Sequence, residues 1–193
     1  MSLDAELAAL TPEEGLGLLA HLRDPRQSLP LYGKVVDQLT KDIIAYDPAR
    51  LTDTLQQTII SYVSDLPRDP EGRTKWLCLL GSRQSGKSLT SALAAYPPAA
   101  YTPGWDSVII ADKTDRATYL HQRLHLLHHH WPEEYRSEAV KGREVRQLTF
   151  DPKVGLGGKM RVMSSNEAAA GIGQSPAFLH ASEVPFWDNA AAV

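Results

Sequence analysis

The chain has 193 residues, of which 42% are hydrophobic and 22% charged, with a formal net charge of −3. That balance predicts a soluble globular protein and excludes a wholly disordered chain. No apolar run approaches the ~18–20 residues of a membrane span, and the lone cysteine, Cys78, excludes an intramolecular disulfide and a cysteine-built zinc site. The first ten residues, MSLDAELAAL, carry acids where a signal peptide carries bases, so a cytosolic protein is expected.

Charge is unevenly spread. Residues 1–70 hold 11 acids and 6 bases, whereas residues 71–193 hold 12 acids and 14 bases. Arg136, Lys141, Arg143, Arg146, Lys153, Lys159 and Arg161 form a basic strip with only three acids among them. Such a strip either meets a polyanion or is an ordinary solvated face.

The first 70 residues read as a helical lead. Thr11-Pro12-Glu13-Glu14 combines an N-cap, an early proline and a capping-box glutamate, opening a helix to about Leu22. A second helix is expected from Tyr32 to Ala45, broken by Asp47-Pro48. Thr52 or Asp53 caps a third, with Leu55, Ile59, Tyr62 and Leu66 on one face. A connector rich in proline and glycine, Leu66 to Gly72, separates this lead from a second unit over 71–193.

From Thr74 the pattern changes to α/β. Trp76-Leu77-Cys78-Leu79-Leu80 is a continuous apolar run, predicting a strand buried on both faces with Cys78 as a small core residue. A glycine-rich turn and a helix follow, ending near Tyr96-Pro97-Pro98. Val108 to Ala111 predicts another buried strand, and Thr114 the cap of a helix whose stripe is Ala117, Leu120, Leu124, Leu127 and Trp131. Val145 to Phe150 and Lys159 to Met163 predict a hairpin, and Phe178 to Ala181 a last strand. Alternating strands and helices argue for a mainly parallel sheet with flanking helices.

Gly81-Ser82-Arg83-Gln84-Ser85-Gly86-Lys87-Ser88 fits G-x-x-x-x-G-K-[ST] between a predicted strand and a predicted helix. Glycines at those places let backbone N–H groups curl around phosphate oxygens, and the helix adds its positive end. Lys87 is placed for the β- and γ-phosphates of ATP, and Ser88 for Mg²⁺. Hydrolysis also needs a carboxylate beside the attacking water. Glu183, ending the apolar run Phe178 to Ala181, is the candidate base, and Ser182 stands where a metal-holding aspartate is usual.

Together, Ser82 to Ser88 and Leu179 to Trp187 resemble the ATPase domain of bacteriophage large terminase subunits, the motors that package viral DNA. The resemblance implies a P-loop NTPase fold of the ASCE type, with Mg-ATP as the fuel. It assigns adenine reading to Gln56, with Gln57 as the fallback, and transition-state charge stabilisation or γ-phosphate sensing to Arg83. It implies double-stranded DNA, a portal protein and a small terminase subunit as partners, a homo-oligomeric ring, no membrane, and a host-bacterial cytoplasmic location. The chain departs from the family by stopping ten residues after Glu183, before the coupling strand and nuclease domain, so a C-terminally truncated form is expected. Two other functions compete: another P-loop ATPase such as a helicase, and a nucleotide-binding remnant without turnover.

His121, His125 and His128 have i, i+4, i+7 spacing, but a solvated helix flank is the simpler expectation than a metal site. Gly155-Leu156-Gly157-Gly158 lacks the frame of a dinucleotide fingerprint and reads as a hairpin turn. Trp105, Trp131 and Trp187 are expected in the core or at its rim rather than as base-stacking platforms.

Overall fold

The computed structural model describes residues 9–36, 42–46, 54–66, 77–79, 86–137, 139–140, 146–150, 157–167 and 175–184. The lead opens as its local chemistry dictates. Helix α1, Pro12–Arg23, has a complete capping box, with Glu14 N–H donating to the Thr11 hydroxyl and Thr11 N–H to the Glu14 carboxylate. Glu14 is held below the usual carboxylate range by those Thr11 donors. Asp24 then caps α2, Pro25–Tyr32, accepting from Arg26 N–H at 3.0 Å.

The expected helix from Tyr32 to Ala45 does not form. Instead α2 ends at Tyr32, and β1, Lys34–Val36, pairs antiparallel with β2, Ile43–Ala45. Two β-branched pairs, Val35-Val36 and Ile43-Ile44, favour strand over helix here. Gly33 is also enclosed: a Cβ there would stand 2.6 Å from the Leu29 carbonyl oxygen. Helix α3, Thr54–Asp65, forms as expected. Its buried side is Ile59, Ile60 and Val63, whereas Leu55, Tyr62 and Leu66 are only partly covered.

Helix α4, Lys87–Tyr101, overruns the expected stop and passes straight through Pro97-Pro98. Each proline lacks the N–H that the helix uses, at about 3 kcal/mol per residue. The helix continues because Tyr96, Ala99, Ala100 and Tyr101 are all at least 98% buried, and each fully buried aromatic contributes about 2–3 kcal/mol. Helices α1, α2 and α3 pack on α4, as do the next helix and the sheet.

Strand β3, Asp106–Ala111, is buried along its whole length. Helix α5, Thr114–His130, follows, with Ala117, Leu120, Leu124 and Leu127 inward as expected. Its N-cap is Lys113 rather than Thr114, which is the first helical residue. Short β4, Ala139–Val140, precedes β5, Gln147–Phe150, and β6, Lys159–Ser164; these last two pair antiparallel, as the expected hairpin requires. Where the hairpin meets α4, a Cβ on Gly158 would stand 1.9 Å from the Ala99 carbonyl oxygen, so no larger residue fits. Strand β7, Phe178–Ala181, completes a five-stranded sheet in the order β4-β5-β6-β3-β7.

The sheet is mixed: β3 runs parallel to both β6 and β7, and the β4-β5-β6 side is antiparallel. The chain is therefore α/β with a parallel centre and flanking helices. Alternate β3 residues serve different layers. Ile109 and Ala111 join the main core with α4 and α5, whereas Val108 and Ile110 pack with Met163 and Val184 in a smaller cluster. Trp105 and Trp131 are core residues, and Tyr96, Tyr32 and Tyr101 ring Trp131 at 5.1–6.4 Å between centroids. Trp187 and residues 151–156 lie outside the described residues.

The run around Cys78 departs from expectation. Leu77 and Cys78 are exposed, and residues 77–79 belong to neither sheet. Leu79 is partly buried against the main core, and Trp76 and Leu80 lie outside the described residues. Among the described residues no helix is long and apolar enough to cross a membrane.

His125, His129 and His130 of α5 are exposed, whereas His121 and His128 are less solvated than expected. His128 Nδ1 is 2.9 Å from the Tyr96 hydroxyl, and burial, assisted by Arg136, pushes its pKa down to about 4. An unfolded histidine titrates near 6.5, so between these values the unfolded chain takes up a proton that the folded one refuses. Stability is then fully present above pH 6.5 and falls towards pH 4. We expect the stability gap between the parent protein and His128→Asn to narrow by about 3 kcal/mol from pH 7 to pH 4. Denaturant unfolding at both pH values measures it, and an unchanged gap contradicts it.

Candidate functional site

The site lies where α4 begins and the parallel strands end. Gly86 forms the N-cap of α4 in the left-handed region, at φ +73°, ψ +5°, which favours a residue without Cβ. Its carbonyl accepts from Thr90 N–H at 2.8 Å, closing the first helical turn. Lys87 and Ser88 then open the helix, so the first-turn N–H groups and positive end of α4 face this corner. Gln56 on α3 reaches the same place: a Cβ added to Gly86 would meet its Nε2 at 2.5 Å. Gln57 points elsewhere, being exposed. Of the two glutamines, Gln56 is therefore the one beside the start of α4.

Strand β7 delivers the opposite wall. Ser182 N–H donates to the Ile110 carbonyl at 2.9 Å, carrying the parallel ladder one residue past β7. That fixes the Ser182 hydroxyl 2.6 Å from the Ser88 hydroxyl, in a hydrogen bond spanning 94 residues of sequence. Glu183 follows with φ +55°, the only described residue other than glycine with positive φ. A side chain in that region is strained and is held there by its surroundings. Two residues before Ser182, His180 is partly exposed but its Nε2 is enclosed, and desolvation together with the Lys87 cation pushes its pKa down to about 4. The ring is therefore neutral at pH 7.

Charges converge on Arg116, one turn into α5. Its Nη1 lies 3.2 Å from Asp112 Oδ1, just past β3, and 3.0 Å from Glu183 Oε2. Asp112 is nearly enclosed, with 7% of its side chain exposed, whereas Arg116 is half open to solvent. A cavity of about 440 Å³ brings these groups together, lined among others by Lys87, Ser88, Asp112, Arg116, Ser182 and Glu183. That size accommodates a ligand of nucleotide dimensions.

Of the residues marked by sequence, Gly86, Lys87, Ser88, Ser182 and Glu183 meet at this cavity and Gln56 abuts Gly86. Gly81, Ser82, Arg83, Gln84 and Ser85 lie outside the described residues. Asp112, Arg116 and Tyr119 also line the cavity and were missed. Asp112 carried a legible signal, an acid directly after a buried apolar run, the same signal that marked Glu183. Arg116 carried none, because one arginine on the polar side of a helix has no distinctive spacing.

Elsewhere, His121 and His125 bring their Nε2 atoms within 3.1 Å. His128 is turned to Tyr96, and no group of three or more metal-ligating side chains occurs among the described residues. No protein-family model matches this chain, and no curated protein matches it.

Replacing Gly86 should disturb two things at once. Gly86→Ala forces a Cβ into the left-handed region, costing about 1 kcal/mol or more, and displaces the Gln56 amide. We expect a lower unfolding midpoint for Gly86→Ala, partly relieved when Gln56→Ala opens the space. Thermal melts of both single variants and the double measure this. Strict additivity would show that the two side chains do not meet.

Proposed function

We propose that this chain is a magnesium-dependent, ATP-hydrolysing P-loop domain of the kind that drives DNA packaging, the large terminase subunit of a bacteriophage. The observation that carries the reading is the 2.6 Å hydrogen bond between Ser88, in the first turn of α4, and Ser182, beside Glu183. It joins the two motifs singled out in the sequence across one cavity, at the C-terminal ends of parallel strands, where α/β sheets place their ligands.

The residues present fit a phosphorylated nucleotide with a magnesium ion. The glycine N-cap leaves the backbone of α4 open to phosphate oxygens, and Lys87 would supply a point charge. Ser88 and Ser182 offer hard oxygen donors, the ligand type magnesium takes. Magnesium, when bound, would neutralise phosphate charge and orient the oxygens. Gln56, with a donor and an acceptor on one amide, suits the adenine edge. Glu183 would accept a proton from water, and its backbone, held at positive φ, aims the carboxylate from the strand end.

The DNA side of the reading has thinner support. Within the basic strip, Arg146 pairs with Glu167, Lys159 and Arg161 both pair with Asp106, and Arg136 donates to the His129 carbonyl. Lys141, Arg143 and Lys153 lie outside the described residues. Two carboxylates cancel two of these four positive charges and lower the counterion release available, so contact with duplex through this strip would be weak and salt-sensitive. Portal, small subunit and ring assembly follow from the resemblance alone.

A second reading has one observation in its favour. Arg116 occupies the Glu183 carboxylate, which suits a module that binds nucleotide without turnover. Two variants separate the readings. Lys87→Ala should abolish retention of a fluorescent ATP analogue; unchanged affinity would sink nucleotide binding at this site. Glu183→Gln should bind ATP as the parent does while turnover falls about 100-fold or more. Equal turnover in mutant and parent would leave Glu183 a structural residue.

A further inference from the structure

Arg116 sits between two carboxylates that end neighbouring parallel strands, and both are held by the same nitrogen, Nη1. The two carboxylates share this one guanidinium in the cavity that Lys87 and the start of α4 also line. A magnesium-bound polyphosphate entering there competes with them for it. The guanidinium is half exposed, and an ion pair open to water is weak. A phosphate oxyanion, by contrast, accepts two parallel N–H donors from arginine in one plane. The side chain is long and pivots without moving α5.

We infer that Arg116 distinguishes a nucleoside triphosphate from a diphosphate: it is held by Asp112 and Glu183 in the nucleotide-free protein and is drawn to the terminal phosphate when one is present. The inference rests on the reading of this cavity as a nucleotide site and adds to it a specificity residue outside both sequence motifs. The same movement has a second effect. Glu183 gives up its pairing with Arg116 only when a terminal phosphate has arrived, so this contact is released at the moment when hydrolysis has a substrate. A diphosphate, too short to engage Arg116, leaves the pair closed.

The test measures equilibrium affinity with the full chain and magnesium, for ADP and for a non-hydrolysable ATP analogue carrying an imido bridge. Arg116→Ala should weaken the triphosphate analogue about tenfold, the loss of one charge-assisted contact, and change ADP affinity less than twofold. Arg116→Lys, which keeps the charge but not the paired donors, should recover part of the preference. Because Arg116 is half exposed, both variants should fold, and unchanged melting temperatures check this. If Arg116→Ala weakens both nucleotides equally, or neither, Arg116 is a structural ion-pair partner and the inference is overturned while the nucleotide site stands. If the parent protein binds neither nucleotide, the reading of the cavity itself fails, and the inference with it.

Discussion

Burial of α4 is the constraint that organises the molecule. Every residue from Thr90 to Tyr101 is inside, enclosed by α1, α2 and α3 on one side and by α5 and the sheet on the other. A helix covered all round cannot slide or rotate without opening several contacts together. The alanines at 92, 94, 95, 99 and 100 let neighbouring backbones approach closely, and Gly158 uses that closeness where the hairpin crosses Ala99. Only the first turn of α4 escapes enclosure, and that turn carries Lys87 and Ser88. The site is thus the exposed end of an otherwise immobilised helix, which is the rigid support that a binding geometry requires.

The parts of the fold that sequence made legible are those where local and tertiary preferences agree. The Thr11 capping box, the apolar stripe of α5 and the β5–β6 hairpin each had the correct period and the correct punctuation. The failures were of two kinds. At Tyr32 to Ala45, helix-like spacing outweighed β-branched pairs that preferred a ladder. At Pro97-Pro98, a breaker that is reliable on a surface was overruled by burial of Tyr96 and Tyr101. Burial also misled at Cys78, where an apolar run suggested a covered strand and the side chain is exposed.

Half of the candidate site was legible for a related reason. Glycine, lysine and serine at fixed spacing, and an acid after an apolar run, are local patterns. The ion-pair bridge is not local: Asp112, Arg116 and Glu183 come from the ends of two strands and from a helix between them in sequence. The register of β3 against β7, Ile110 opposite Ala181, brings the ends of those strands level. No spacing rule reports that alignment, since it depends on which strands are neighbours. The same holds for Asp106, whose carboxylate gathers Lys159 and Arg161 from β6 and so cancels one of their two positive charges in what reads in sequence as a basic strip.

The strand order also bears on how the protein is made. Among the described strands of the large sheet β3 is the first to leave the ribosome, yet its partners there, β6 and β7, are encoded far downstream, the latter ending at Ala181. At typical elongation rates the interval from Ala111 to Ala181 takes about 3 to 15 seconds. During that time the buried residues of α4 and β3 await the two strands, β6 and β7, that pair with β3. The nascent chain in that interval is therefore a natural client for a holding chaperone, and a pause in translation between residues 111 and 159 would lengthen its exposure to aggregation.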